Sequence, residues 1–151
     1  AELRTGGGVA GAIHRAAGPG LEKECRPLAP IKPGEAVITG AHNLPNQYVI
    51  HCLGPVYGID RPEDQLLAGC YSNALQLADE KGITSIAFPA ISTGAFGYPP
   101  DEAVSIAIDT IVDTIPGLKS VQRVVMVLFS AGDFQAHETY LNQKMQKLTD
   151  H

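Results

Sequence analysis

The sequence predicts an α/β fold of three layers (α/β/α), in which helices cover both faces of a mixed β-sheet. Strand patterns and helix patterns alternate along the chain, as they do in proteins of this class. The strongest helical patterns are amphipathic, and the apolar segment "SIAFPA" is typical of a strand that is buried on both faces. The 151 residues contain no repeat, linker or low-complexity tract, so we expect a single domain over residues 1–151.

The first half of the chain combines helices with two short strands. Gly18 followed by Pro19 is a typical stop signal for a helix, and the polar residues 40–47 link the two strand patterns. The predicted elements are helices over residues 9–17 and 21–26 and strands over residues 35–39 and 48–53.

The second half alternates helix and strand. Gly82 ends its first helix, and Ile115 is expected to be the last core-facing residue of its second helix. The apolar face of the first helix consists of Leu67, Tyr71, Ala74 and Ala78. The predicted elements are helices over residues 63–81, 101–115 and 132–148 and strands over residues 85–90 and 121–129.

Composition excludes several functional classes. The chain has 11 basic and 16 acidic residues, a net charge of −5, and no basic run, so we expect no general nucleic-acid binding. No apolar stretch is long enough to cross a bilayer. Cys25, Cys52 and Cys70 form no C-x-x-C pair, which indicates reduced thiols in a cytoplasmic protein. Because no metal-ligand spacing is present, no metal or cofactor is expected, and His14 and His51 are interpreted as structural.

A glycine-rich loop leads directly into the first helix and consists of Gly6, Gly7, Gly8, Val9 and Ala10. Glycine lets another group approach the backbone closely, and a helix N-terminus offers free N–H groups to an anion. We therefore favour a phosphate site here over a flexible connector. Such a loop normally follows a strand, and no strand pattern precedes this one.

A second loop of small residues follows the buried strand pattern and consists of Ser92, Thr93, Gly94, Ala95 and Phe96. Ligands of open α/β sheets gather at the carboxyl ends of the strands, so we expect the two loops to hold a diphosphate from opposite sides. Neither loop contains Lys or Arg, which indicates backbone and hydroxyl donors. No G-K-[ST] follows the glycines, which excludes a Walker A loop.

Two aromatic residues belong to the same region. Phe96 stands among glycines, which is compatible with a ring that covers a sugar and with a ring that packs inside. Phe129 ends the last predicted strand, where it either stacks on a nucleobase or closes the core.

Five segments of the chain resemble the macrodomain family: "GGGVAGAIHRAAGPGL", "GEAVITGAHNLP", "YVIHCLGPVY", "AFPAISTGAFGYP" and "VVMVLFSAGDFQAHETYL". The resemblance covers essentially the whole chain and is closest to the MacroD-type branch, whose members remove mono-ADP-ribose from proteins and deacetylate O-acetyl-ADP-ribose. It implies that the ligand is ADP-ribose, free or attached to a protein. It also implies that residues 6–10 wrap the diphosphate and the distal ribose, that residues 92–96 hold the diphosphate from the other side with Phe96 against the distal ribose, and that Phe129 lies beside the adenine.

The chain departs from this family pattern in two ways. The family's N-terminal strands, which carry an adenine-contacting Asp and an N-A-A-N segment, do not appear in it. In MacroD-type hydrolases an Asp stands where this chain has Ala10. Alanine cannot accept a proton, and general-base help typically contributes about 10²–10⁴-fold in rate. No catalytic residue is therefore assigned, although "GGGVAGA" also resembles viral macrodomains that hydrolyse mono-ADP-ribose.

Three functions follow as expectations. The first is ADP-ribose binding with hydrolysis of the mono-ADP-ribosyl bond or deacetylation of O-acetyl-ADP-ribose, slowed by Ala10. The second is a non-catalytic reader with the same pocket. The third is an NAD-dependent dehydrogenase of the Rossmann type, because Gly6, Gly8 and Gly11 match G-x-G-x-x-G, although a lone match without a preceding strand is a weak signal.

Overall fold

The computed structural model describes residues 8–149, and its elements follow the predicted order. None of the described helices combines the length and the apolar character needed to cross a membrane. The elements are α1 (Gly8–Ala17), α2 (Pro19–Cys25), β1 (Ala36–Gly40), β2 (Tyr48–Cys52), α3 (Glu63–Glu80), β3 (Ser85–Phe88), α4 (Pro100–Thr114), β4 (Arg123–Met126) and α5 (Ala131–Thr149), with 3₁₀ turns at Arg26–Leu28 and Ile115–Gly117.

The strands pair in two different ways. β1 and β2 are antiparallel, with Ile38 opposite Ile50. β3 and β4 are parallel, with Ala87 opposite Val125, and α4 connects them. Parallel neighbours require a crossover of this kind, whereas antiparallel neighbours need only a short loop. Both kinds of pairing occur together with packed helices, which confirms the predicted α/β fold with mixed strand directions.

The main core lies between α3, α4 and the strands. The predicted apolar face of α3 is fully buried, since Leu67, Tyr71, Ala74 and Ala78 are at most 1% exposed. Residues of β2, β3 and β4 pack against the same core. Full burial of one large apolar side chain stabilises a fold by about 1.5–3 kcal/mol. This face therefore fixes α3 beneath both strand pairs.

A second, smaller core holds the two N-terminal helices together. Gly18 has a φ of +86°, which is unstrained only for glycine, and it lets the chain turn sharply from α1 into α2. The ring centres of His14 in α1 and His51 in β2 are 6.1 Å apart, so α1 lies beside β2. The buried members of this second core are Ala17, Leu21 and Cys25.

The expectation that the strand "SIAFPA" is buried on both faces is wrong. Ser85 and Ala87 are exposed, and only Phe88 is buried. Within residues 8–149, β4 is the only strand that pairs with β3, so one edge of β3 has no strand beside it. The strand also ends earlier than predicted, at Phe88, because Pro89 has no N–H to donate to a ladder.

β4 is shorter than the predicted strand over residues 121–129. β4 begins at Arg123. In the segment just before it, the Asp79 carboxylate accepts the backbone N–H groups of residues 119–121 at 2.6–3.1 Å. β4 ends at Met126, which pairs with Phe88, the last residue of its partner β3. One further backbone hydrogen bond runs from Val127 N to Phe88 O at 2.8 Å. Apolar sequence thus continues beyond the point where pairing stops.

Ile115 does not face the core as predicted and is 41% exposed. α4 ends at Thr114, and the chain continues in a 3₁₀ turn that contains Pro116. The residue before a proline is disfavoured in a continuing α-helix, so the helical face ends before Ile115.

Candidate functional site

The loop after β3 is closed by its own hydrogen bonds. Tyr98 N donates to Ser92 O at 2.9 Å, Gly97 N donates to Gly94 O at 3.0 Å, and Thr93 Oγ1 donates to Ala90 O at 2.9 Å. These bonds define a compact turn over residues 92–97 at the carboxyl end of β3. A preformed turn at this edge of a parallel strand pair is a typical position for a ligand site.

Ser92 is the unusual residue of this turn. Its φ is +66°, a left-handed conformation that costs a non-glycine residue roughly 1–2 kcal/mol. Its hydroxyl oxygen is buried and has no hydrogen-bond partner. A buried unpaired hydroxyl is a further cost of about 1–3 kcal/mol. The turn therefore contains a donor that no other described group satisfies.

Tyr71 and Gly54 hold the turn in position. Tyr71 Oη accepts the Ile91 N–H at 3.2 Å and donates to Pro89 O at 3.4 Å. Burial, as the largest cause, raises the pKa of Tyr71 above its usual value, so this hydroxyl stays protonated at neutral pH. Gly54, just after β2, lies against the turn so closely that a Cβ on it would overlap Ser92 Oγ.

The aromatic residues of this edge are exposed. Phe129 is 101% exposed, so it is not the core residue that closes β4, and Phe96 is 36% exposed. The carboxyl ends of parallel strands meet at the same edge of a sheet, which places residues 89–97 and 127–130 on the same side. The Phe96 carbonyl accepts Tyr57 N–H at 2.9 Å, which fixes the backbone while leaving the ring partly free. Both rings are available to a ligand.

The glycine-rich loop is only partly described. Gly6 and Gly7 lie outside the described residues, and Gly8 is the first residue of α1. Val9 and Ala10 are exposed, and no acidic residue stands in the first turn of α1. The first N–H groups of a helix have no partner within it, so a helix N-terminus without nearby acidic residues is suited to an anion.

The contacts link α1 to the turn over residues 92–97 by way of β2. His14 of α1 lies beside His51 of β2, and the chain leaving β2 reaches Gly54 and contacts Ser92. The structure thus brings Gly54, in the segment after β2, against Ser92 of the turn that follows β3.

A comparison with protein families assigns the fold. The family model described as "Macro domain" matches residues 1–107. The chain is a macrodomain. This confirms the predicted family, and it replaces the dehydrogenase interpretation of Gly6, Gly8 and Gly11.

Relatives and solved structures agree with this assignment. The chain is 50% identical to an O-acetyl-ADP-ribose deacetylase of Klebsiella pneumoniae over 132 residues, which cover 84% of this chain and 75% of the relative. It is 42% identical to the ADP-ribose glycohydrolase MACROD2 of Xenopus laevis over 148 residues, or 96% of this chain and 35% of that protein. It matches the Oceanobacillus iheyensis macrodomain, solved with ADP, with a TM-score of 0.91 and 40% identity, over 97% of this chain and 80% of the other.

Two surface cavities of this macrodomain lie away from the turn over residues 92–97. One, of about 260 Å³, is lined by Glu35, by Ala36 of β1 and by residues of α3 that include Asn73 and Glu80. Another, of about 460 Å³, is lined by residues of α4 and α5 that include Asp101 and Tyr140. Neither of these two is lined by a residue of the turn over residues 92–97 or by Phe129.

Sequence analysis missed the residues that support the site. Tyr71 was predicted as a core residue, and nothing in its spacing showed that its hydroxyl holds the backbone before Ser92. Gly54 stands after a strand and before Pro55, a pattern that indicates a turn but not a contact partner. Histidine spacing also gave no sign that His14, Cys25 and His51 converge.

Proposed function

We propose that this macrodomain binds ADP-ribose, free or attached to a protein, at the edge formed by the end of α1 and the turn over residues 92–97. The observation that carries the proposal is Ser92, whose hydroxyl is buried and unpaired in a turn that is otherwise closed by hydrogen bonds. The names of the deacetylase and glycohydrolase relatives support a ligand that contains ADP-ribose. In this proposal, residues 6–10 and 92–96 hold the diphosphate and Phe129 lies beside the adenine.

We further propose that the protein hydrolyses its ligand, releasing mono-ADP-ribose from modified proteins or acetate from O-acetyl-ADP-ribose. In the first reaction water attacks the anomeric carbon of the distal ribose, the bond from this carbon to the protein side chain breaks, and the side chain leaves with a proton that comes from the water. The N–H dipoles of the two loops stabilise the developing charge. Ala10 lies exposed in the first turn of α1 and has no group that can accept a proton. The reaction therefore proceeds without a general base at this position, and it is slow.

A reader function without turnover is the second candidate, and the same Ala10 favours it. The two candidates share a pocket and differ only in chemistry. Binding alone would allow recognition of an ADP-ribosylated protein partner with no release of the sugar.

Two measurements test these proposals. Calorimetric titration with ADP-ribose, ADP and NAD tests the site, and tighter binding of ADP-ribose than of NAD is expected. Single-turnover assays on mono-ADP-ribosylated protein and on O-acetyl-ADP-ribose test the chemistry. Release at the rate seen in buffer alone would leave only the reader function, and absence of ADP-ribose binding would overturn both candidates.

We also infer a cytoplasmic location. All three cysteines are free thiols. Unpaired cysteines are typical of proteins in reducing compartments. Fractionation of cells that express the tagged protein tests the location, and recovery in a secreted fraction would contradict it.

A further inference from the structure

Three side chains from different elements converge behind α1: His14 from α1, Cys25 from α2 and His51 from β2. Each offers one atom that commonly ligates metals, and these atoms all lie within 4.8 Å of one another. Cys25 Sγ is 3.6 Å from His51 Nε2. Ligand atoms on a tetrahedral zinc ion lie roughly 3.3–3.8 Å apart, given bond lengths of about 2.0–2.3 Å. The cluster is thus within about 1 Å of metal-binding geometry.

His14, a member of the cluster, also carries an unpaired polar atom. His14 is 5% exposed, and its Nδ1 is buried without a hydrogen-bond partner. Leaving a buried imidazole nitrogen unpaired is unfavourable for the folded state. A cation bound to Nδ1 would remove that cost. Cys25, fully buried beside it, supplies the sulfur that a borderline-soft metal prefers.

The surroundings of the cluster can accommodate an ion. His51 Nε2 also lies 3.0 Å from Thr39 Oγ1, and this hydroxyl donates to Gly40 O at 3.0 Å. Thr39 therefore stays paired when Nε2 turns to a metal. The Glu24 carboxylate accepts the Gly40 N–H at 3.2 Å and brings negative charge close to the cluster. His51 is only partly buried, so the cluster is not wholly enclosed in the core.

We propose that His14, Cys25 and His51 form a zinc site that ties α1 and α2 to β2. Two imidazoles and one thiolate are ligands that zinc favours, and water completes the tetrahedron. A copper site with the same three ligands usually adds a methionine sulfur. The two methionines of this chain, Met126 and Met145, lie in β4 and α5 and not in the elements that carry the three ligands, so the ligand set favours zinc over copper.

The ion cross-links α1, α2 and β2 and so has a structural role. α1 carries Gly8, Val9 and Ala10 at its start, so an ion held by His14 fixes the direction in which this end of the helix points. The zinc site uses none of the residues assigned to ADP-ribose. A failure to bind zinc and a failure to bind ADP-ribose are therefore independent results.

The test begins with the full chain stripped of metal by a chelator and then dialysed. Calorimetric titration with Zn²⁺ is expected to show one ion bound per chain, and zinc is expected to raise the melting temperature. Titration with Co²⁺ is expected to give a thiolate-to-cobalt charge-transfer band. The variant Cys25→Ser is expected to lose this band and at least about 10–100-fold in affinity. Cys70→Ser removes another buried thiol outside the cluster, and it should keep both.

The proposal is overturned if the folded wild-type protein takes up no stoichiometric zinc, or if uptake is unchanged in Cys25→Ser. Should Cys25→Ser fail to fold, His51→Gln decides, because His51 is partly exposed and its replacement disturbs the core less. The same loss of affinity is expected for it. Unchanged zinc affinity in a folded His51→Gln protein contradicts the site.

Discussion

Gly54 and Ser92 are packed so closely that only a hydrogen atom fits between them. A Cβ on Gly54 would overlap Ser92 Oγ and would come within 2.6 Å of Ile91 Cγ2. Ser92 also has a φ of +66° and cannot simply turn away, because its carbonyl accepts the Tyr98 N–H. The backbone after β2 therefore sets the position of the turn that follows β3.

The first prediction concerns this contact. Gly54→Ala is expected to destabilise the fold by about 1–3 kcal/mol through overpacking and to weaken ADP-ribose binding, because the added methyl group displaces Ser92. Gly117→Ala is the matched control, since a Cβ there meets nothing within 4 Å. Denaturant unfolding and calorimetry measure both effects. Unchanged stability and affinity in Gly54→Ala would mean that the turn does not depend on this contact.

The second prediction separates stability from binding at Ser92. Removing a buried, unpaired hydroxyl leaves nothing else unpaired, so Ser92→Ala is expected to keep or increase the free energy of unfolding. The same change is expected to weaken ADP-ribose binding by roughly 10–100-fold, the effect of one hydrogen bond to a charged group. Ser105→Ala, on the exposed side of α4, serves as the control. Equal affinities for the Ser92→Ala and wild-type proteins would remove Ser92 from the site.

The third prediction restores a carboxylate at the start of α1. Ala10→Asp is expected to raise the single-turnover rate of mono-ADP-ribose release by up to about 10²–10⁴-fold, because it supplies a general base. An acidic residue in the first turn also interacts favourably with the helix dipole, so stability should not fall. Ala10→Asn has the same shape without the base and should not accelerate release. A rate in Ala10→Asp no higher than in Ala10→Asn contradicts the role given to this position.

The fourth prediction concerns acid stability. Burial, with the neighbouring His14 as a smaller cause, lowers the pKa of His51 to about 4 from its usual value of 6.5. The unfolded chain therefore takes up a proton at pH values where the folded chain does not. The free energy of unfolding is therefore unaffected by His51 protonation above about pH 6.5. It falls by roughly 1–3 kcal/mol as the pH decreases toward 4, after allowance for the exposed part of the ring.

This contribution is measured as the melting temperature between pH 7 and pH 4 in a buffer that contains a chelator. His51→Gln should show a shallower decline than the wild-type protein. Parallel curves for the two proteins would show that His51 is not held neutral by the fold.

Much of the fold could be predicted because it depends on local periodicity. The apolar face of α3, from Leu67 to Ala78, repeats at the helical spacing and is buried as predicted. The end of β4 could not be predicted in this way, because a strand ends where its partner ends, and the partner β3 ends at Phe88, directly before Pro89. Phe129 was therefore placed at a strand end, although it lies in an exposed loop.

The candidate site was predicted to a different extent. The small residues of its two proposed loops stand out in the sequence, because positive φ and close approach restrict residue choice. Their supports were not, since Gly54 and Tyr71 act through contacts with residues 38 and 20 positions away, Ser92 and Ile91. The sequence also does not show that His14, Cys25 and His51 converge, because only the packing of α1 and α2 on β2 brings them together.

Neither loop of the proposed site contains Lys or Arg, and under the proposed function this would affect which nucleotides the protein selects. Fixed dipoles and hydroxyl groups attract a diphosphate, but they add little for each further phosphate, whereas lysine or arginine would add a full charge interaction. Triphosphates such as ATP would then gain little advantage over ADP-ribose. Affinity should also vary little with ionic strength, because screening by salt acts mainly on pairs of full charges.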